Sequence, residues 1–336
     1  MIIHLFKSKS GFIYNSLALL YIALAYVLGF AGLFSEHWGL QLLSTLILAH
    51  SLIISSYMLH ECAHNTVMKL NEHNARLGRL LMWVNGSCYG QYEDIRYKHF
   101  RHHVENGDLC WFEYRPWLQK HPYVLKAVLL LEYLYIPAHE VLMHAVLVFG
   151  SFVIPQRKSQ RLHNLTVIAV RGTLYALLLW FYPVVALLYA VAYMLMMVVL
   201  RFMDNLQHDY GGTHTLFDKT PLQQKGDKVY EQIHTFSNPL STQYVWLNLL
   251  VLNFGFHNAH HAKPITPWFE LPALHHQLFG ENTQSIIPFM AQWQCYSRYR
   301  VKRVMQDEDI DAASFLNDAK KGQTAGINAV SFLTAF

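Results

Sequence analysis

Three dense groups of histidines are the residues in this chain whose types and spacing could do chemistry. They form an HxxxH box and two HxxHH boxes, with these members: His60 and His64; His99, His102 and His103; His257, His260 and His261. Residues three and four apart share one face of an α-helix, so each box can direct its imidazoles toward one point. The eight imidazoles are enough for two metal ions with open positions, a site suited to O₂ activation. Imidazole binds iron, copper, zinc and nickel, so the ligand type alone leaves the metal open.

Other polar residues near the boxes could take part. His208, in the stretch from Met203 to Asp209, is a ninth candidate ligand, and Asn205 could hold a metal-bound water. Carboxylates can orient a ligand imidazole by accepting its second N–H. The nearby carboxylates are Glu61, Glu93, Asp94, Glu105, Asp108 and Asp209. We interpret His234, His275 and His276 as ordinary polar residues.

The composition indicates a membrane protein with a substantial polar part. The 336 residues are 53% hydrophobic and only 14% charged, against ~25% charged in soluble domains. A net charge of +4 carries no strong electrostatic signature of nucleic-acid binding. The four cysteines include no CxxC pair, which excludes the common zinc-ribbon and iron–sulfur patterns.

Four apolar stretches are predicted to be transmembrane helices, at residues 12–34, 40–59, 165–182 and 184–200. The last two belong to one run that would be too long for a single crossing of a ~30 Å hydrocarbon core, so we predict a turn at Tyr182–Pro183. Residues 124–154 are apolar but contain Pro137, Glu132 and Glu140. Because charges inside lipid are costly, a re-entrant or interfacial helix pair is predicted there, and whether it enters the membrane stays open.

These elements predict an all-α integral membrane protein forming a single domain over residues 1–336. About four transmembrane helices in two hairpins would carry interfacial helices and a cytoplasmic cap, at residues 60–123 and 201–300, that contains the histidine boxes. Lys7 and Lys9 place the chain's start on the cytoplasmic side. Counting spans from there brings all three boxes to the cytoplasmic face. The count fails if residues 124–154 cross the membrane a single time. The tail, residues 301–336, is expected to be partly ordered at best.

The order and spacing of the boxes resemble the membrane fatty acid desaturase superfamily. The resemblance covers roughly His60 to Phe279 and includes the stretch from Asn253 to His261, followed by Pro267-Trp268 and Leu271-Pro272. It implies that the eight box histidines bind two non-haem irons, and His208 matches the extra histidine that many members carry after the last span. It further implies that O₂ is a co-substrate and that a double bond is introduced into the acyl chain of a lipid or thioester.

The resemblance also implies an external source of electrons. No His-Pro-Gly-Gly motif of a fused cytochrome b5 domain is present, so a separate donor of the ferredoxin or cytochrome b5 type is expected. Hydroxylases, ketolases and decarboxylases share the scaffold and its boxes, so these reactions remain alternatives.

Two rival classes explain less of the chain. His60-Glu61-Cys-Ala-His64 fits the HExxH signature of zinc metalloproteases, with Glu61 as general base. That interpretation leaves both HxxHH boxes without a role, and iron rather than zinc in the purified protein would exclude it. A haem-binding membrane subunit would need facing histidines inside the spans, yet the predicted spans contain only His50.

Overall fold

The computed structural model describes residues 2–210, 213–218, 220, 222–280, 282–306 and 312–326. The chain divides into two compact units. The first comprises the residues up to Asp94 together with His144–Val199, and the second comprises Ile95–Met143 and the chain from Leu200 onward. Of the predicted tail, residues 307–311 and 327–336 lie outside the described residues.

Most of the described chain is helical. The first nine α-helices are α1 Lys9–Gly32, α2 Trp38–Ala63, α3 Asn71–Asn85, α4 Tyr92–Glu105, α5 Tyr114–Lys120, α6 Pro122–Tyr133, α7 Ala138–Val153, α8 Arg161–Phe181 and α9 Pro183–Asp204. The later ones are α10 Lys228–Ile233, α11 His257–Ala262, α12 Leu271–Phe279, α13 Phe289–Arg298, α14 Arg300–Arg303 and α15 Ala312–Lys320. Short 3₁₀ helices occupy Ile2–Leu5, Ser87–Tyr89, Pro155–Gln160, Val245–Val251 and Trp268–Glu270.

Four helical segments are long and apolar enough to cross a membrane, as predicted. They are Lys9–Gly32, Trp38–Ala63, Pro155–Phe181 and Pro183–Asp204. The break between the last two falls at Tyr182, where Pro183 begins the next helix because its fixed φ suits the first helical turn. Large apolar side chains stand out from these helices, with Leu28 65% and Trp180 79% exposed, and such surfaces suit lipid better than water.

Small residues let α1 and α2 pack closely within the first unit. A Cβ atom on Gly29 would lie 2.9 Å from the backbone nitrogen of Leu48, and one on Gly32 would lie 2.1 Å from Oγ of Ser44. Between these helices, Ser51 also donates a hydrogen bond to the carbonyl of Ile22, at 2.9 Å. Such close approach with interhelical hydrogen bonds is typical of packing between membrane helices.

The second unit contains a short element that the all-α prediction did not include. Strand β1, Asp108–Cys110, pairs in parallel with β2, Thr213–Thr215. The strands are three residues long and far apart in the sequence, so neither produces a periodic pattern that could be recognised. The pair ties the chain after the second histidine box to the segment that follows His208.

The two carboxylates of the 124–154 region are paired inside the second unit. Helices α6 and α7 are shorter than a span and are separated by Leu134–Pro137. Nε of Arg201 lies 2.6 Å from Oε1 of Glu140, and Nε of Arg300 lies 3.0 Å from Oε2 of Glu132. All four side chains are buried. Pairing explains how an apolar region carries these carboxylates, because a buried charge is tolerated when it has a partner.

Candidate metal centre

The first box lies at the end of α2, in the first unit. His60 and His64 are one helical turn apart, both 3% exposed, with ring centroids 4.7 Å apart. The Glu61 carboxylate between them lies 3.5 Å from Nδ1 of His60 and accepts a hydrogen bond of 2.6 Å from the Thr66 hydroxyl. The predicted face-sharing of the HxxxH pair is therefore present in the helix.

The remaining seven predicted ligands all lie in the second unit. They are His99, His102 and His103 on α4, His208 shortly after α9, and His257, His260 and His261 on α11. Helical spacing within each HxxHH box turns its three imidazoles inward, and the fold of the unit brings the two boxes and His208 together.

Four of these histidines form a cluster in which one ligand atom of each lies within 4.8 Å of the others. We call His102, His208, His257 and His261 the His208 cluster. Nε2 of His208 is 3.2 Å from Nε2 of His102 and 2.7 Å from Nε2 of His257. His208 is therefore central to the arrangement, although in the sequence it stands alone.

The other three predicted ligands of the second unit meet at His103. Its Nε2 lies 3.2 Å from Nε2 of His99 and 3.2 Å from Nε2 of His260. All three side chains are buried. The imidazoles of the two HxxHH boxes thus point their nitrogen atoms, and not their ring carbons, toward each other.

The nitrogen set fits a transition metal. Nε2 of His261 is buried and has no hydrogen-bond partner among the described residues, which is costly unless another group, such as a metal, fills the role. Burial lowers the pKa of His208 and of His261, and neighbouring histidines lower both further. Both imidazoles are therefore neutral near pH 7, the form in which histidine binds a metal.

A buried carboxylate that sequence reasoning missed completes the surroundings of His261. Oε1 of Glu231 lies 3.0 Å from Nδ1 of His261, and both side chains are 0% exposed. Glu231 is carried by α10, whose start is capped by Asp227 through hydrogen bonds from the backbone of Val229 and Tyr230. The 211–237 segment is polar and lacks hydrophobic periodicity, so nothing in the pattern points to Glu231.

The carboxylates singled out in the sequence have varied surroundings. Asp108 is close to the centre, with Oδ1 3.6 Å from Nδ1 of His102; that nitrogen is also 3.0 Å from the carbonyl of Gly107. The other side-chain pairs are Glu93 with Arg79, Asp94 with Arg157 and Gln160, and Glu105 with Arg101. Asp209 is buried, and so is Asn205, whose amide has no hydrogen-bond partner among the described residues.

Three further histidines stay outside the candidate ligand groups. Within the described part of the chain, His234, His275 and His276 belong to no group of residues placed to hold a metal ion. His276 is exposed, His275 is buried, and His234 is partly exposed and stacks on Tyr230.

Hydrogen bonds from Asn258 hold α11, which carries the third box, in place. The backbone N–H of Asn258 donates to Oγ of Ser237 at 3.2 Å, and its side-chain amide donates to the carbonyl of Thr235 at 2.5 Å. Thr235 in turn lies 3.3 Å from Nδ1 of His208 through its hydroxyl. One polar residue inside the box therefore links α11 to the segment that positions His208.

Comparison with known proteins identifies one family. The model of the fatty acid desaturase family matches residues 36–293, a range that contains all nine candidate histidines. No curated protein matches the chain significantly.

Proposed function

The chain belongs to the fatty acid desaturase family, and we propose that it is an integral membrane, O₂-dependent di-iron enzyme that introduces a double bond into a fatty acyl chain. The observation that carries the proposal is the convergence of seven histidines in the second unit, six of them buried and His102 partly buried. Six of the seven have an Nε2 atom 2.7–3.2 Å from the Nε2 atom of another, and His261 lies in the His208 cluster. By the motif pattern, His60 and His64 complete a set of nine ligands.

A di-iron centre bound by these residues would supply the oxidising power for the reaction. Removing two hydrogen atoms from neighbouring methylenes consumes one O₂, two external electrons and two protons, and yields a double bond and two waters. The protein's own contribution is to present neutral imidazoles and fix their orientation. The burial of these side chains also keeps bulk water away, as oxidation of an unactivated methylene requires.

The four apolar helices bear on how the substrate reaches the site and on which side of the membrane the site lies. An acyl chain, as a lipid or a thioester, can reach the site from the bilayer in which these helices lie. The proposed site faces the cytoplasm, which is supported by counting spans from Lys7 and Lys9. The electrons come from a separate carrier protein of the ferredoxin or cytochrome b5 type.

Analysis of cellular lipids tests the proposal. Cells expressing the wild type should accumulate new unsaturated acyl chains, and His102→Ala should abolish them. His276→Ala is the matched control, because it removes an exposed histidine outside the ligand groups and should leave the products unchanged. The position of the new double bond would define the regiospecificity.

Other outcomes would assign the chain differently. Hydroxylated, oxo or shortened products would move it to the hydroxylases, ketolases or decarboxylases of the same scaffold. Zinc instead of iron in the purified protein, with no lipid product, would contradict the oxygenase and favour the protease interpretation of His60, Glu61 and His64.

A further inference from the structure

A stack of aromatic rings leads away from the His208 cluster. The ring of His208 stacks on Tyr210 at a centroid distance of 4.5 Å, Tyr210 on Tyr230 at 6.2 Å, and Tyr230 on His234 at 3.9 Å. The interplanar angles are 26°, 22° and 26°, so the rings are nearly parallel. We call these four side chains the aromatic ladder.

The ladder connects the buried cluster with the protein surface. His208 and Tyr210 are buried, at 4% and 6% exposure. Tyr230 and His234 are partly exposed. The ring of Tyr210 also lies 5.5 Å from that of His102 and 6.4 Å from that of His261, so three members of the His208 cluster contact Tyr210.

Hydrogen bonds hold the rings at fixed separations. The hydroxyl of Tyr230 donates to the carbonyl of Tyr210 at 3.2 Å. The N–H of Asp209 donates to the carbonyl of His234 at 3.1 Å, and the His234 ring bonds back to the carbonyl of Asp209. The strand-like bridge between His208 and Thr235 continues this pairing inward. The ladder is therefore built into paired backbone, which keeps its geometry constant.

We infer that the aromatic ladder is the route by which electrons enter the metal centre; this inference rests on the proposed function. Six of the seven histidines in the second unit are buried and the side chain of His102 is only 14% exposed. A carrier protein therefore cannot stack against them, and the electron must cross protein. Each transfer oxidises the carrier by one electron and reduces one ferric ion to ferrous, and two transfers serve one turnover. No bond forms or breaks along the ladder.

Stacked rings favour electron transfer because they shorten the gaps that the electron must tunnel across between neighbouring groups. Electron tunnelling weakens steeply with distance, and delocalised π-systems in near-parallel contact couple better than the saturated chains that would otherwise fill the path. Tyr230 is the side chain to test, because it links buried Tyr210 to partly exposed His234. The carrier would accordingly approach the surface at Tyr230 and His234.

Anaerobic reduction kinetics test the ladder in the full-length, iron-loaded protein. Tyr230→Leu removes the ring, whereas the matched variant Tyr230→Phe keeps the ring and removes only the hydroxyl. The reductants are a chemically reduced carrier, either a [2Fe–2S] ferredoxin or the soluble domain of cytochrome b5, whichever reduces the wild type, and dithionite, a small reductant that does not depend on a protein docking surface. Iron content is measured for every variant.

The expected result is several-fold slower oxidation of the carrier protein by Tyr230→Leu. Tyr230→Phe should stay much closer to the wild-type rate, because it keeps the ring and the backbone pairing and loses only one hydrogen bond. Iron content and the dithionite rate should stay unchanged in both variants. The inferred electron route is wrong if Tyr230→Leu oxidises the carrier at the wild-type rate. It is also wrong if the substitution slows reduction by the carrier and reduction by dithionite to the same extent. A wild type that purifies without iron would instead overturn the proposed function itself, so the two failures are distinguishable.

Discussion

The carboxylate of Glu231 lies 3.0 Å from Nδ1 of His261, and neither side chain is exposed to solvent. A carboxylate there accepts a hydrogen bond from Nδ1–H of His261, and this fixes the tautomer in which Nε2 is free to bind a metal. The Nε2 atom of His261 is the one that has no hydrogen-bond partner among the described residues. The pair therefore has the arrangement of a carboxylate–histidine–metal triad.

Replacing this carboxylate should weaken iron binding. Glu231→Gln keeps the size of the side chain but removes its charge, and loss of such a partner typically lowers metal affinity by ~10–100-fold. The measurement is iron retained per protein during titration with a chelator. Lys228→Met is the control, because Lys228 is 65% exposed and contacts the same carboxylate from the solvent side. Equal iron retention by Glu231→Gln and the wild type would exclude an orienting role for Glu231.

His208 should be as important for metal binding as any box histidine. Its Nε2 lies 2.7–3.2 Å from those of His257 and His102, so His208→Ala should lower the iron content toward half of the wild-type value. His234→Ala should retain all the iron, because His234 lies outside the ligand groups of the described chain. The iron content of the purified variants is the measurement. A full iron complement in His208→Ala would show that His208 is not a metal ligand.

The parts of this site that the sequence predicts are those encoded by short-range periodicity. The spacing within each box follows the helix repeat, so the face-sharing of His60 with His64 and the inward direction of His99, His102 and His103 could be derived. The four spans follow in the same way from apolar runs of spanning length, and their helices are confirmed.

The parts that the sequence does not predict depend on long-range contacts of irregular segments. Glu231 reaches His261 from a six-residue helix in a polar stretch, and β1 pairs with β2 across about a hundred residues. Stacking of Tyr210 on Tyr230 is likewise set by backbone pairing and not by a repeat. The network of Glu132, Glu140, Arg201 and Arg300 is a further example, since its members are spread over four helices.

Gly255 should be required for the position of the third box. A Cβ atom there would lie 2.7 Å from Cα of Pro239 and 2.8 Å from the carbonyl oxygen of Asn238. Both are backbone atoms that cannot move aside, so Gly255→Ala must displace the segment that leads into His257. We expect a lower melting temperature and a lower iron content.

A second glycine provides the control for this substitution. A Cβ atom on Gly172, within α8, would meet nothing within 4 Å, and alanine is favoured over glycine in a helix. Gly172→Ala should therefore melt at or slightly above the wild-type temperature and retain its iron. Equal melting temperatures for Gly255→Ala and the wild type would contradict the close packing at Gly255.

The buried pair of Arg201 and Glu140 should make stability depend on pH in the acid range. Burial alone would raise the pKa of Glu140, but the charge of Arg201 outweighs burial and lowers this pKa to about 2. A carboxyl group whose pKa is lower in the folded than in the unfolded protein stabilises the fold above its unfolded pKa, here 4.5. That contribution is lost as the pH falls from this value toward 2.

Glu140→Gln isolates this contribution from those of other carboxylates. Removing one member of a buried ion pair typically costs about 3–5 kcal/mol, so at pH 7 the variant should melt several degrees below the wild type. The difference should narrow as the pH is lowered below 4.5, because the wild type then loses the same charge. Melting curves in one detergent between pH 7 and pH 3 measure it. A difference that stays constant over this range would show that the carboxylate of Glu140 contributes through packing and not through its charge.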